Sequence, residues 1–193
     1  MTLADMFEPY IGVTEWNGIV RTIQEWYYGG LVKASWCATS VSYFANQMGI
    51  LMQLGGKNEN VNQMRLSCAG SGYGTYFDNP PSQLRRGDIL FWLWSGSVMS
   101  NSSNKHVGVC YDDTTDTVIP CIGGNQSDMI CVQNYRRSAL YAVFRPTYED
   151  VGPIEPNPDP TPPEDPDNPD TPNPVYHWFL WALLGHYTNN IKR

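Results

Sequence analysis

Residues 35–49, SWCATSVSYFANQMG, form the segment from which the rest of the fold can be worked out. Ser35 is a preferred N-cap residue, and Gly49 is typical of the position that follows a helix. Small and apolar side chains recur between them at helical spacing, at Cys37, Val41, Phe44, Ala45 and Met48. The segment therefore predicts a helix that packs one face against a core.

Further helices and a set of strands surround this segment. A helix over residues 15–27, capped by Thr14, and a weaker helix over residues 60–66 are predicted. After Pro81 the pattern changes to five strand-like runs: GDILFWLW (87–94), HVGVCYDD (106–113), TVIPCIGG (117–124), DMICVQNY (128–135) and ALYAVFRP (139–146). Helices first and an antiparallel sheet of about five strands second predict an α+β fold, with the amino-terminal helices packed on the sheet.

The composition divides the chain at about residue 150. Residues 153–174 contain ten prolines among Asp, Glu, Asn and Thr, which favours an extended spacer over a packed core. Beyond it, VYHWFLWALL (175–184) would span about 15 Å as a helix, too short to cross a membrane. We therefore expect a folded domain in residues 1–150, a disordered Pro-rich linker in 151–174 and a short apolar tail in 175–193. The tail is interpreted as a helix that docks on the domain or on a partner, with a membrane-surface anchor or a sugar-stacking patch as alternatives.

Charge and cysteine content argue against several classes of protein. The net charge is −7, but residues 153–174 hold six acids and no Lys or Arg, so the rest of the chain carries about −1. A near-neutral domain does not attract phosphates, which argues against nucleic acid as a partner. Five cysteines without a CxxC pair favour neither a disulfide framework nor a zinc site, and synthesis in a reducing compartment is the simpler interpretation. The first residues, MTLADMFEPYIGV, lack the basic and apolar regions of a secretory signal, and we expect a monomer without a cofactor.

Cys37 is the candidate nucleophile. It lies in the first turn of the predicted helix, where unpaired backbone N–H groups and the helix dipole stabilise a thiolate. The alternative is a structural role, because Cys37 shares its helix face with apolar residues and a small cysteine is often part of a core.

His106 and Asn125 are the candidate partners of this cysteine. His106 is the only histidine before the linker, since His177 and His186 follow it, so His106 is the available base. Asn125 lies in IGGNQSD (122–128), after the strand expected to form a hairpin with the His106 strand, and its amide could orient the imidazole. Taken alone, His106 is compatible with a structural role, and Asn125 beside two glycines is compatible with a turn. A single domain histidine argues against a metal-dependent amidase.

Four aromatic residues are candidates for a substrate groove. They are Trp36, Tyr73, Trp92 and Trp94. Their flat side chains could contact sugar or peptide, and the alternative for each of them is ordinary packing.

Four segments, in order, resemble the CHAP domains, the cysteine and histidine dependent amidohydrolases and peptidases. SWCATSVSYFANQMG resembles their WCAxFV nucleophile helix, PPSQLRRGDILFW their P-x-x-GD strand and KHVGVCYD their HVG strand. IGGNQSDMICVQNYRRSALYAVFRP resembles the closing GGNQS segment of a phage-associated branch. The resemblance covers residues 33–146 and implies a papain-like fold with Cys37 as nucleophile, His106 as base and Asn125 as orienting group. One departure is Gly123, where many members carry Glu.

The same resemblance implies a function. A thiol hydrolase that cleaves an amide bond of bacterial peptidoglycan is expected, either an endopeptidase or an N-acetylmuramoyl-L-alanine amidase. The Cys37 backbone N–H would meet the oxyanion, with Tyr27, Tyr28 or Ser35 as a second donor. A phage endolysin, made in the bacterial cytoplasm and released through a holin, is the expected setting, with a virion-associated lysin as an alternative. A non-catalytic wall-binding module and a cysteine peptidase acting on proteins remain alternatives.

Overall fold

The computed structural model describes residues 1–94 and 104–148. The helices are α1 (Leu3–Phe7), α2 (Gly18–Tyr28), α3 (Cys37–Gln47) and α4 (Val61–Gly70), and the strands are β1 (Thr75–Phe77), β2 (Ile89–Leu93), β3 (Lys105–Cys110), β4 (Val118–Gln126), β5 (Met129–Arg136) and β6 (Leu140–Arg145). Helices precede an antiparallel sheet, so the α+β prediction is confirmed. The expected linker and tail, residues 151–174 and 175–193, lie outside the described residues.

The sheet has six strands in the order β1-β6-β2-β3-β4-β5. Five of them are the strands predicted from the sequence. The sixth, β1, was not predicted, because three residues between a glycine-rich turn and Pro80 are too few to show an alternating pattern. It pairs antiparallel with β6, with Tyr76 opposite Phe144.

Two helix starts differ from their predicted positions. Thr14 forms an isolated antiparallel bridge with Met129, so its backbone is extended and α2 begins later, after the N-cap Asn17. At α3 the N-cap is Trp36, not Ser35. The helix α1 was not predicted; the side chain of its Asp5 accepts a hydrogen bond from the backbone N–H of Thr2 at 2.6 Å.

The amino-terminal segment also extends the sheet at its β5 edge. The Gly12 N–H donates to the Ile130 carbonyl at 2.8 Å, the Ile130 N–H donates to Val13 at 3.0 Å, and the Glu15 N–H donates to Asp128 at 2.7 Å. Backbone groups at the start of β5 that would otherwise be unpaired are satisfied in this way.

The two faces of the sheet carry two separate apolar clusters, as the two-residue period of a strand requires. The first cluster packs against the helices and takes from the sheet Ile89, Phe91, Val107, Val109, Ile122, Ile130, Ala142 and Phe144. The second lies on the opposite face and consists of Leu84, Leu90, Trp92, Cys110, Ile119, Cys121, Leu140 and Val143. His106 belongs to the second face, because it pairs with Trp92 across β2 and β3.

The Gly-Asp pair before β2 has a structural role. Asp88 is 1% exposed and accepts hydrogen bonds from Nε and Nη2 of Arg145, both at 2.7 Å, and from the Arg85 N–H at 2.9 Å. A bidentate pair of this kind ties the start of β2 to the end of β6.

Candidate active site

The first turn of α3 is fixed on the sheet by close packing against Gly124 of β4. A Cβ atom on Gly124 would lie 2.6 Å from Oγ of Ser40 and would overlap the ring of Trp36. Only glycine therefore allows the helix to approach this closely. Ser40 is held in turn, because its Oγ donates to the Cys37 carbonyl at 2.8 Å. This packing determines where the Cys37 thiol can lie.

Cys37 lies in the first turn of α3, as the sequence predicted, is the first residue of that helix and is 5% exposed. Burial is the largest influence on its thiol and raises its pKa, while the backbone N–H groups of Val107, Ala38 and Cys37 itself act in the opposite direction. The backbone N–H groups at the helix start favour the thiolate, as the sequence predicted, but burial outweighs them. The thiol is instead a buried, neutral group whose Sγ lies beside the backbone of Val107.

This position is open to the thiol because β3 and β4 separate. Their pairing covers only Val109 with Ile122 and Cys110 with Cys121. Toward the start of β3 and the end of β4, no further pair between the two strands occurs in the described residues. The backbone N–H of Val107 is thus available to the thiol, one residue after His106.

The His106 imidazole is almost completely buried, with 7% exposed. Its ring centroid lies 5.9 Å from that of Tyr135, which in turn lies 5.1 Å from the ring of Trp92. Two glycines border the ring, since a Cβ atom on Gly108 or Gly123 would lie in ordinary van der Waals contact with its Nε2 atom, at 3.5 Å. Burial lowers the pKa of His106 to about 4, and the Gln126 side chain acts in the opposite direction. The imidazole is therefore neutral at neutral pH, as a general base must be.

The thiol and the imidazole approach β3 from different directions. Cys37 comes from the helix face, whereas His106 lies on the opposite face with Tyr135. Nε2 of His106 has no hydrogen-bond partner among the described residues, so it does not bond to the thiol. Tyr135 lies beside the imidazole, and burial raises the pKa of its hydroxyl, with smaller contributions from the Cys121, Cys131 and Cys37 thiols in that order.

Asn125, the predicted orienting residue, lies in a β-bulge. The pairing of β4 with β5 shifts register between Gly123 and Gln126, and Asn125 adopts φ 60°. No hydrogen bond of its side chain occurs in the described part of the chain. Its neighbour Gln126 is 2% exposed, and the side chain of Gln126 interacts with the imidazole. From the sequence, this interaction was expected for Asn125. The only sequence signal for Gln126 was its membership of the amide-rich IGGNQSD segment.

Among the predicted oxyanion donors, Tyr28 has a buried hydroxyl without a hydrogen bond of standard geometry in the described residues. Its pKa is raised chiefly by burial and next by Glu59, and the Cys37 thiol is the smallest cause. Ser35 is exposed, and no side-chain hydrogen bond caps α3.

The predicted substrate groove is only partly compatible with the burial of its residues. Trp36 and Trp92 are both 0% exposed, so their rings serve as packing and have no free surface for a ligand. Tyr73 is 57% exposed and Trp94 is partly buried, which leaves these two as candidates for substrate contact.

No group of three or more His, Cys, Asp or Glu side chains with the spacing of a metal site occurs in residues 1–94 and 104–148. All five cysteines are unbridged. In the same part of the chain, no helix has the length and apolar character needed to cross a membrane.

Comparison with known proteins gives a likeness to solved structures alone. No protein-family model and no curated protein matches the chain. Among solved structures, the chain is similar to the crystal structure of a wild-type endolysin, LysIME-EF1, with 14% sequence identity and a TM-score of 0.48. The similarity covers 78% of this chain and 67% of that one. A likeness of this size assigns neither a family nor an activity.

Proposed function

We propose that this protein is a cysteine-dependent hydrolase of the papain-like CHAP type, which cleaves an amide bond in bacterial peptidoglycan. The observation that carries the proposal is the position of the Cys37 thiol. It lies at a helix N-terminus, against the backbone N–H of Val107, one residue from the only histidine in residues 1–150. A thiol, a base and a set of backbone donors are the minimum that acyl transfer requires.

The reaction starts from a neutral thiol and a neutral imidazole, because burial raises the pKa of Cys37 and lowers that of His106. Because the two groups lie on opposite sides of β3, substrate binding would have to bring the imidazole within reach of Sγ. His106 then takes the thiol proton as Sγ attacks the substrate carbonyl. The backbone N–H groups of Cys37 and Ala38 donate to the oxyanion that forms. The imidazolium then gives its proton to the leaving amine, and a thioester remains. Water, deprotonated by His106, cleaves the thioester and restores the thiol.

The substrate class comes from the four segments that resemble CHAP domains. They leave open whether the bond lies within the stem or bridge peptide or joins muramic acid to alanine. In this proposal the protein acts at the cell wall as a phage endolysin or a virion-associated lysin. Residues 151–174 would tether the domain to the apolar tail, which would raise its effective concentration at the wall or the membrane surface.

The nucleophile and the base can be tested on purified peptidoglycan. We expect the variants Cys37→Ala and His106→Ala each to reduce clearing of a wall suspension by at least about 1000-fold. Cys68→Ala is the matched control, because Cys68 is also buried but lies in α4, and it keeps full activity per folded molecule. Clearing by folded Cys37→Ala at the wild-type rate would contradict the proposal and favour a wall-binding module.

The substrate class can be tested by mass spectrometry of muropeptides after digestion. New amine termini identify the cleaved bond and separate endopeptidase from amidase activity. Unchanged muropeptides together with cleavage of a protein substrate would point instead to a cysteine peptidase acting on proteins.

A further inference from the structure

Gln126 combines deep burial with an unequal use of the two ends of its side-chain amide. Its Nε2 donates to three backbone carbonyls, those of Cys131 at 2.6 Å, Gly123 at 3.2 Å and Cys121 at 3.3 Å. Its Oε1 is buried and has no hydrogen bond of standard geometry among the described residues. An amide carbonyl buried in this way calls for a donor.

The three carbonyls settle which way the amide points. A carbonyl oxygen accepts hydrogen bonds and cannot donate them, so only the NH₂ end of Gln126 can face the three carbonyls. The Oε1 atom must therefore occupy the opposite end of the amide.

A matching atom lies beside it. Nε2 of His106 is also buried without a partner in the described residues, and it can carry a proton to donate. Both groups border the same glycine, because a Cβ atom on Gly123 would lie 3.5 Å from Nε2 of His106 and 3.5 Å from Nε2 of Gln126. The Gln126 side chain also raises the pKa of the imidazole, as an acceptor beside it does.

The β-bulge explains why Gln126 holds this place and Asn125 does not. In a regular strand, residues 123 and 125 would face the same side, and residue 126 the other. The register shift between Gly123 and Gln126, with Asn125 at φ 60°, inserts one residue and brings Gln126 to the side of Gly123 and His106. Gly123, in turn, has no side chain that would compete for the space.

We infer that Gln126 is the positioning residue of His106: its Oε1 accepts a hydrogen bond from the Nε2–H of the imidazole, which leaves Nδ1 unprotonated and available as the base. This inference rests on the proposed function for the role of Nδ1, but the hydrogen bond itself is independent of activity. Asn125 is then a bulge residue, in place of the orienting role expected for it.

The hydrogen bond can be tested by nitrogen-15 NMR of the histidine side chains in the full chain at pH 7. His177→Gln and His186→Gln variants assign the His106 signals. We expect His106 to be a single Nε2–H tautomer, with a slowly exchanging ring proton that shows cross-relaxation to the Gln126 side-chain amide. A His106 that carries its proton on Nδ1 would overturn the inference, and this measurement on the unmodified protein needs no variant to fold.

Two variants then distinguish the role of Gln126 from that of Asn125. Gln126→Met keeps the length of the side chain but removes the acceptor, and we expect a mixed tautomer, fast exchange of the ring proton and a fall in kcat of about 100-fold, with KM changed by less than about twofold. Asn125→Gly keeps the left-handed backbone without the amide, and we expect the wild-type tautomer. A shift caused by Asn125→Gly and not by Gln126→Met would overturn the inference.

Failure of the inference and failure of the proposed function give different results. If Cys37→Ala and His106→Ala lose activity but the parent protein shows an Nδ1–H tautomer, only the positioning role of Gln126 is rejected. An Nε2–H tautomer bound to Gln126 in a protein whose Cys37→Ala variant stays active rejects only the proposed function.

Discussion

At the scale of single residues, the candidate site is a pair of buried neutral groups. Burial moves the pKa values of Cys37 and His106 in opposite directions, and both shifts disfavour the thiolate and imidazolium form. The sequence allowed Cys37 and His106 to be predicted, since one cysteine opens a helix and the domain has one histidine. Gln126 could not be predicted in the same way, because the alternation of a regular strand assigns the inward position to Asn125 and only the bulge reverses this.

The buried imidazole predicts how stability depends on pH. His106 has a pKa of about 4 when folded and about 6.5 when unfolded, so the unfolded chain binds its proton first as pH falls. Its contribution is fully present above about pH 6.5 and is lost as pH falls from there to about 4. We expect the free energy of unfolding to drop by about 2 to 3 kcal/mol between pH 7 and 4.5 from this group, as measured by urea titration.

The variant His106→Gln provides the reference for this measurement, because it cannot titrate. The difference in pH slope between the parent protein and His106→Gln isolates the imidazole from the carboxylates. Parallel slopes for the two proteins would show that His106 is not buried in neutral form.

At the scale of elements, the site depends on how closely α3 packs against β4. The order of helices and strands was predictable because periods of 3.6 and 2 residues are visible in the sequence. The start of α2 was not, because the bridge from Thr14 to Met129 joins residues that are distant in the chain. The close contact of Gly124 with Trp36 was not predictable either, because no local sequence pattern indicates it.

The contact at Gly124 gives a prediction for the helix–strand packing. Gly124→Ala would place a methyl group against Trp36 and Ser40, and we expect a loss of about 1 to 3 kcal/mol in the free energy of unfolding, measured by urea titration. Wall clearing per folded molecule should fall as well, because displacement of α3 moves the Cys37 thiol. Gly30→Ala is the matched control, since a Cβ atom there meets nothing within 4 Å. Equal stabilities for Gly124→Ala and Gly30→Ala would contradict the close packing.

At the scale of the whole molecule, the buried ion pair of Asp88 and Arg145 joins the neighbouring strands β2 and β6 of the sheet. The Gly-Asp pattern contributed to the resemblance with CHAP domains, and the structure gives it a structural explanation, because Asp88 contacts Arg145 and Arg85. Its conspicuous position in the motif therefore does not require a role in the chemistry.

Removal of the Asp88 carboxylate should lower the stability of the protein without changing its activity. We expect Asp88→Ala to destabilise the protein by about 3 to 5 kcal/mol, because it leaves Arg145 without its buried partner, while kcat per folded molecule stays unchanged. Asp78→Asn is the control, since Asp78 is 78% exposed in its side chain and lies 4.0 Å from Arg65, and we expect less than about 1 kcal/mol. A large loss of kcat in folded Asp88→Ala would assign Asp88 to the active site instead.

The pairing of the amino-terminal segment with β5 also affects when the domain can finish folding. Thr14 and Met129 are 115 positions apart, and the β4–β5 hairpin that carries Gln126 is bordered by this contact. A contact of such high sequence separation forms only after nearly the whole domain has left the ribosome, and it closes slowly. Under the proposed function, the protein would therefore complete the hairpin that carries Gln126 as one of the last steps of synthesis. A nascent chain that still lacks residues 126–130, or a truncated chain that lacks residues 1–15, should then have no hydrolytic activity in the cell that makes it.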